Sequence, residues 1–196
     1  MEKQTFIIGI TGGSGCGKTT LLQCIAQRGG LILDCDAIYH RLLKEDPALL
    51  AAIENRFPGV VEDGQLQRKK LGNIVFSDKN ALADLNKITH AAVKAEVQRL
   101  LETNPQLAAI DAIGLFEGDL AALCDVTVAV TAPVEDRVRR LMARDGISEE
   151  YARSRIAAQR SNQAYSSLCN VTLENNGEIC EFRAKCLAFL TECGIM

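Results

Sequence analysis

Gly12-Gly13-Ser14-Gly15-Cys16-Gly17-Lys18-Thr19 meets every fixed position of the spacing G-x-x-x-x-G-K-[ST]. These residue types suit one chemistry. Glycines let a loop close tightly and turn successive backbone N–H groups towards a phosphate chain. The start of a following helix adds unsatisfied N–H groups and the positive end of its dipole. Lys18 would reach the β- and γ-phosphates, and the Thr19 hydroxyl would hold Mg²⁺. A dinucleotide loop fits less well, because Gly13-Ser14-Gly15-Cys16-Gly17-Lys18 puts Lys18 where the third glycine of that pattern belongs.

Two further sets of side chains carry charge chemistry. Asp34 and Asp36, read as an extended strand end, project from one side about 7 Å apart, with Cys35 turned the other way. Paired carboxylates beside a phosphate loop can hold Mg²⁺ through water and polarise an attacking hydroxyl. The plainer use of the same residues is a polar strand end, or a helix N-cap formed by Asp36. Arg137, Arg140 and Arg144 share a helix face by their i, i+3, i+7 spacing. Arg139 lies off that face, and Arg153 and Arg160 repeat the spacing on the next helix. A solvated basic face is the ordinary reading. Phosphoryl transfer, however, needs arginines to offset charge on the transferred group. That makes 134–160 a candidate lid, with Arg140 its best-placed residue.

These side chains need a frame. Residues 5–10 are an apolar run suited to a buried strand, and 20–26 suit a helix start. Gly29-Gly30 breaks the pattern before a second short strand at 31–33. From 37 to 104 the pattern is mostly helical, broken at Asp46-Pro47, Pro58-Gly59 and Asp63-Gly64, with a long helix over 81–101. Strands follow at 107–113 and 126–130. Helices at 134–144 and 148–160 flank Asp145-Gly146. A weak fifth strand at 171–173 precedes the break at Asn176-Gly177 and a closing helix at 178–191. Strands alternating with helices argue for an α/β fold, a parallel five-stranded sheet flanked by helices. Ligands then sit beyond the carboxyl ends of the strands. The loop and the Asp34/Asp36 pair are expected to converge on one crevice there.

Composition narrows the class. The chain has 196 residues, is 47% hydrophobic and carries a net charge of −3. That suits one α/β domain over 1–196, with a helical insertion at 37–104. With a pI of about 5.5, no basic footprint points to nucleic acid. No apolar run approaches the roughly 20 residues that span a bilayer, so no membrane partner is expected. The N-terminus leads straight into a strand rather than a secretory leader, and a cytoplasmic location is expected. Eight cysteines form no C-x-x-C pair, and His40 and His90 are the only histidines, so zinc spacing is absent. The cysteines read as small, mostly buried apolar residues in a reducing compartment. Cys16 is the exception: beside a helix N-terminus and Lys18, it is a candidate oxidation-sensitive thiol.

Two rival phosphate-loop classes fit poorly. A GTPase would carry Asn-Lys-x-Asp, whereas Asn86-Lys87-Ile88-Thr89 lacks the Asp and sits in the helical insertion. A motor or transporter ATPase would be larger and would place an acidic residue after the third strand, the region in which Asp111 and Glu117 lie.

The ordered motifs resemble one family. They are Ile10-Thr11-Gly12-Gly13 with Gly15, Gly17 and Lys18, then Asp34-x-Asp36, Leu66-Gln67-Arg68, Ile74-Val75-Phe76, and Leu85-Asn86 followed by His90. Later come Leu115-Phe116-Glu117, Arg140, Arg144-Asp145, Gln159 and Asn175-Asn176-Gly177. The chain resembles the dephospho-coenzyme A kinases over most of its length. The resemblance implies a P-loop kinase fold and transfer of a phosphoryl group from ATP, with Mg²⁺, to the ribose 3′-hydroxyl of dephospho-coenzyme A. It implies catalytic roles for Asp36, Lys18 and Arg140. It implies ATP binding by Gly13, Ser14, Gly15, Cys16, Gly17, Lys18, Thr19, Thr20, Arg144 and Asn175, with Thr19 on the metal. It implies acceptor binding by Thr11, Asp34, Asp36, Arg68, His90 and Glu117. The protein would be a monomer or weak homo-oligomer with no partner beyond its small-molecule substrates. The chain departs from the family pattern at Ala91, where Pro is usual, at Ile113-Gly114, at Arg137, where Gln is usual, and at Cys169-Asn170. A kinase of the same fold acting on a nucleoside or nucleotide, and a nucleotide-binding regulatory module without transferase activity, are the alternatives.

Overall fold

The structure, a computed structural model, describes residues 5–196; residues 1–4, which the sequence reading counts within the domain, lie outside it. The first apolar run forms β1 (Phe6–Thr11), and a glycine-rich turn leads into α1 (Lys18–Ala26) and then β2 (Leu31–Asp34). Next come α2 (Cys35–Glu45), α3 (Pro47–Arg56), the short strands β3 (Val61–Glu62) and β4 (Gln65–Leu66), α4 (Arg68–Val75) and α5 (Lys79–Leu101). The chain continues through β5 (Leu107–Asp111), a 3-10 turn (Ala121–Leu123) and β6 (Val126–Thr131). It ends with α6 (Val134–Asp145), α7 (Glu149–Ala157), α8 (Asn162–Leu168), β7 (Val171–Glu174) and α9 (Ile179–Glu192). The chain divides into two compact units. Of the described residues, one unit holds 5–33, 104–115 and 120–196; the other holds 34–103 and 116–119.

In the first unit, five strands pair in the order β2-β5-β1-β6-β7. β1 runs parallel to β5 and β6, and β6 runs parallel to β7. Helices cover the sheet, so the strands read as near-continuous apolar runs. Ile8, Ile10, Val128 and Val130 are fully buried with Leu21 and Ile25 of α1 and with Cys186 and Leu190 of α9. Parallel pairing has a direct consequence for function. The carboxyl ends of β1, β6 and β7 lie side by side. The glycine-rich loop after β1, the start of α6 after β6 and Asn175 after β7 are therefore neighbours. Asn175 N–H extends the pairing by one step, donating to the Thr131 carbonyl at 2.8 Å.

The second unit is built on α5, which Asp78 caps by accepting from Asn80 N–H at 2.8 Å. The Asp63-Gly64 break is the turn of the β3–β4 hairpin. Both residues have positive φ (49° and 73°), as a two-residue hairpin turn of the right twist requires. Glu54 fixes the approach to it. Its carboxylate accepts from the N–H groups of Gly59 (2.6 Å), Val60 (3.0 Å) and Val61 (2.7 Å), which holds its pKa below the usual range.

Glu96 of α5 is 9% exposed and bridges Arg99 (2.7 and 2.8 Å) and Arg41 of α2. The two guanidiniums, Arg99 first, hold its carboxyl at about 2. A carboxyl depressed on folding contributes stability that is present above its ordinary value of 4.5 and is lost as pH falls towards about 2. Arg41 and Arg99 are 41% and 61% exposed, and solvent screens both pairs. Glu96→Gln should therefore lower stability at pH 7 by about 1 kcal/mol. Thermal unfolding of both proteins from pH 7 down to 2.5 checks this: the gap should close through the acid range, and a gap independent of pH would contradict it.

Several expectations need correcting. Residues 34–36 are not one extended segment. Asp34 ends β2 and accepts from Ala37 N–H at 2.9 Å, so it is Asp34, not Asp36, that caps α2. The helix begins at Cys35, and Asp34 and Asp36 do not project from one strand face. Cys35 is buried and both aspartates are exposed. The helix expected over 148–160 ends at Ala157, which leaves Arg160 outside it. A further short helix, α8, follows, capped by Ser161 accepting from Ala164 N–H at 3.1 Å. No disulfide joins the eight cysteines. Cys16, Cys24, Cys35 and Cys186 are buried, Cys124, Cys169 and Cys193 half-buried, and Cys180 exposed; Cys16 is fully buried in the core, closed to solution oxidants. Among the described residues no helix is long and apolar enough to cross a membrane.

Candidate active site

The loop between β1 and α1 is held by side chains from three directions. Gly17, at φ 102°, is the N-cap of α1, and no side chain caps the helix there. The first N–H groups of α1 are thus left for an external acceptor. Lys18 Nζ donates to the Gly12 carbonyl at 2.9 Å. Arg137 Nε donates to the Ser14 carbonyl (2.9 Å), Arg140 to the Gly15 carbonyl (3.2 Å), and Asn175 Nδ2 to the Cys16 carbonyl (2.9 Å). Three successive carbonyls are held from outside. Because a peptide unit is planar and trans, its N–H points opposite to its C=O. Anchoring Ser14 O and Cys16 O outward aims the N–H groups of Gly15 and Gly17 the other way, as a phosphate cradle needs. Cys16 N–H closes a turn on Gly13 O at 3.2 Å.

Close packing explains two of the glycines. A Cβ on Gly13 would stand 2.1 Å from an Arg137 nitrogen, and one on Gly17 would stand 2.3 Å from Asn175 Nδ2. Gln159, beyond α7, joins the same cluster. Its Oε1 accepts from Ser14 N–H and from Arg137 NH2, each at 2.9 Å, and its Nε2 donates to Ser14 Oγ at 2.9 Å.

The arginines of α6 share a face but meet different fates. Arg137 is buried, 2% exposed. Arg140 is half-buried and also donates to Asn175 Oδ1 at 3.3 Å. Arg144 is exposed and forks onto Asp145 (2.6 and 3.0 Å), which also accepts from Arg155 at 2.7 Å. Arg144 and then Arg155 hold the Asp145 carboxyl at about 2. Of the other expected residues, Thr11 is fully buried, its hydroxyl donating to the Ile113 carbonyl at 3.1 Å. Thr19 is exposed on the first turn of α1, and Thr20 N–H bonds Gly17 O at 3.0 Å.

The second unit brings His90 and Glu117 together and leaves Arg68 apart from them. His90 Nδ1 lies 3.2 Å from the Glu117 carbonyl oxygen. A carbonyl only accepts, so Nδ1 is the donor in this contact. Both residues line a groove of about 510 Å³ with Asn86, Lys87 and Lys94, and Lys94 is paired with Asp119. Arg68, the first residue of α4, lines a separate groove of about 250 Å³ with Tyr39, His40 and Phe76. Burial raises the Tyr39 phenol, with Arg68 opposing. Phe76 is 84% exposed, an unusual state for a large aromatic side chain.

A family model described as dephospho-CoA kinase matches residues 6–181. The chain belongs to the dephospho-CoA kinase family. A dephospho-CoA kinase of Carboxydothermus hydrogenoformans is 35% identical over 190 residues, covering 94% of this chain and 92% of its own. The crystal structure of the Thermus thermophilus protein TT1252 superposes with a TM-score of 0.80 at 33% identity, covering 97% of this chain and 98% of that one. A dephospho-CoA kinase from Campylobacter jejuni, 24% identical, shares the fold with a TM-score of 0.65 over 95% and 96% of the two chains. The parallel five-stranded sheet is that of the P-loop kinases. The family phosphorylates dephospho-CoA to coenzyme A, the last step of coenzyme A biosynthesis, and the chain is a kinase that uses a nucleotide substrate.

Sequence reasoning placed Arg137 on one face with Arg140 and Arg144 in the candidate lid, and gave Gln159 only a place in the motif set; it foresaw the contact of neither with Ser14. The available signal was that Arg137 lies one turn before Arg140 on the same face.

Proposed function

We propose that the nucleotide is ATP, that Mg²⁺ accompanies it, and that the acceptor atom is the ribose 3′-hydroxyl of dephospho-coenzyme A. One observation carries the donor half. A loop whose carbonyls are anchored outward, ahead of an uncapped helix start, fits a chain of phosphates. Gly13 to Thr20 line that cradle. Lys18 and Arg140 offset charge on the transferred group; neither has a carboxylate partner among the described residues. Thr19 is exposed, and its hydroxyl would hold Mg²⁺, whose charge would draw electron density from the phosphates. Asn175 keeps the loop in shape near the nucleotide.

The second unit takes the acceptor, with Arg68, His90 and Glu117 gripping it and Thr11 supporting the loop end of β1. Asp36 orients or deprotonates the 3′-hydroxyl, and Asp34 supports it or the metal shell. Residues 134–160 act as a lid in which Arg144 exchanges Asp145 for phosphate, and 37–104 act as the acceptor-binding insertion. The transfer itself is in line, with the protein mainly positioning and neutralising. A cytoplasmic location agrees with this reaction.

The test is an assay with ATP, Mg²⁺ and dephospho-coenzyme A, with the product's mass and phosphate position determined. A 3′-phosphorylated product formed at about 1–100 s⁻¹, as kinases do, is the expected result. Phosphate at another position, or transfer only to a nucleoside offered in parallel, would overturn the acceptor assignment. ATP binding without transfer to any acceptor would overturn the catalytic reading.

A further inference from the structure

Arg137 is the largest fully buried side chain among the described residues, at 2% exposure, and its partners are neutral. Nε donates to the Ser14 carbonyl and NH2 to Gln159 Oε1, each at 2.9 Å. No carboxylate pairs with it among the described residues, whereas Arg139, Arg144, Arg153 and Arg155 on the same two helices all hold acids. A guanidinium withdrawn from water with only neutral acceptors is costly unless a counter-charge arrives. The cradle beside it is where one would arrive. Arg137 also fixes a peptide plane: with Ser14 O held outward, Gly15 N–H is aimed into the loop. Gln159 secures the same residue from the other side, through Ser14 N–H and Ser14 Oγ.

We propose that Arg137 is a positioning residue for the phosphoryl donor. Through the Ser14 peptide it holds the Gly15 N–H on the donor's phosphates, and its charge, unmatched inside the protein, is matched by the bound polyphosphate. The role is one of positioning because the side chain acts through the loop. It ties the first turns of the helix that carries Arg140 to the cradle, so donor binding and the root of α6 are linked. The inference rests on the reading of this loop as the ATP site.

The experiment is calorimetric titration of the full chain with MgATP and, separately, with dephospho-coenzyme A. Arg137→Met should weaken MgATP by about tenfold or more, the scale of a lost charge-assisted hydrogen bond. Dephospho-coenzyme A affinity should stay within twofold, a selectivity that a general loss of structure would not give. Arg137→Lys keeps the charge without the planar fork and should fall between parent and Met. Should Arg137→Met fail to fold, Arg137→Gln retains an amide donor for Ser14 and should still weaken MgATP by about threefold or more. If the parent binds MgATP and the neutral variants bind it within twofold, the inference is overturned while the donor site stands. If the parent does not bind MgATP, the donor reading itself falls, and this inference with it.

Discussion

Asp36→Asn should lower kcat by about 10²–10⁴-fold, the usual worth of a positioned general base, with MgATP affinity unchanged within twofold. The prediction depends on how the two neighbouring carboxylates are employed. Asp34 is spent on structure: its Oδ1 accepts from Ala37 N–H and starts α2. Asp36 is exposed on the first turn of that helix, and among the described residues its side chain has no hydrogen bond or ion pair. A carboxylate without a protein partner can take a hydroxyl proton at no structural cost. Asn keeps the size and removes the basic site. The control is Asp34→Asn. Asn caps helices about as well as Asp, so this variant should fold normally and lose far less turnover than Asp36→Asn. Steady-state kinetics with both substrates varied would show the split. Near-parental kcat in Asp36→Asn would remove Asp36 from the centre of the mechanism, and equal losses in both variants would mean that the pair acts as one unit.

The two aspartates also show where sequence reasoning stops. Their residue types were legible, but their geometry was not. Whether Asp34-Cys35-Asp36 stays extended or starts a helix is decided by one hydrogen bond, Asp34 to Ala37 N–H, that strand periodicity does not encode. The glycine-rich turn between β1 and α1 was legible, because only glycine readily takes the positive φ found at Gly15 (80°) and Gly17 (102°). The α6 arginines were legible as a face and not as partners. A period of 3.6 says that Arg137, Arg140 and Arg144 point the same way. It does not say that one is sealed against Ser14, one lies on Gly15 and one is held by Asp145. The five core strands could be read from their apolar runs. The β3–β4 hairpin and α8 were missed, because two-residue strands and a seven-residue helix carry too few periods to register, although Asp63-Gly64 and Ser161 are the right turn and cap residues. His90 and Glu117 lie 27 residues apart and meet only through the path of the chain.

Lys18→Ala should reduce kcat/KM for ATP by about 10³-fold or more, raising KM and lowering kcat together, on the scale of removing a preorganised charge from a reacting phosphoryl group. That double effect separates Lys18 from Asp36, whose loss should fall on kcat alone. The reason is that Lys18 meets the phosphates both before and during transfer, whereas a base acts only as the hydroxyl attacks. Folding should be little affected. Lys18 is half-exposed, and its amine makes one hydrogen bond, to a carbonyl of its own loop. Truncation leaves no buried charge behind, unlike loss of an acid partner elsewhere in the chain. Lys18→Arg should not restore activity. A planar fork is bulkier than an ammonium, and the loop around it is already crossed by Arg137, Arg140 and Asn175. Thermal unfolding and dephospho-coenzyme A titration of Lys18→Ala, both expected to match the parent, would confine the loss to the donor site. Unaltered ATP kinetics in that variant would mean that the loop does not hold the reacting phosphates, and no arrangement of the arginines around it could then rescue the donor assignment.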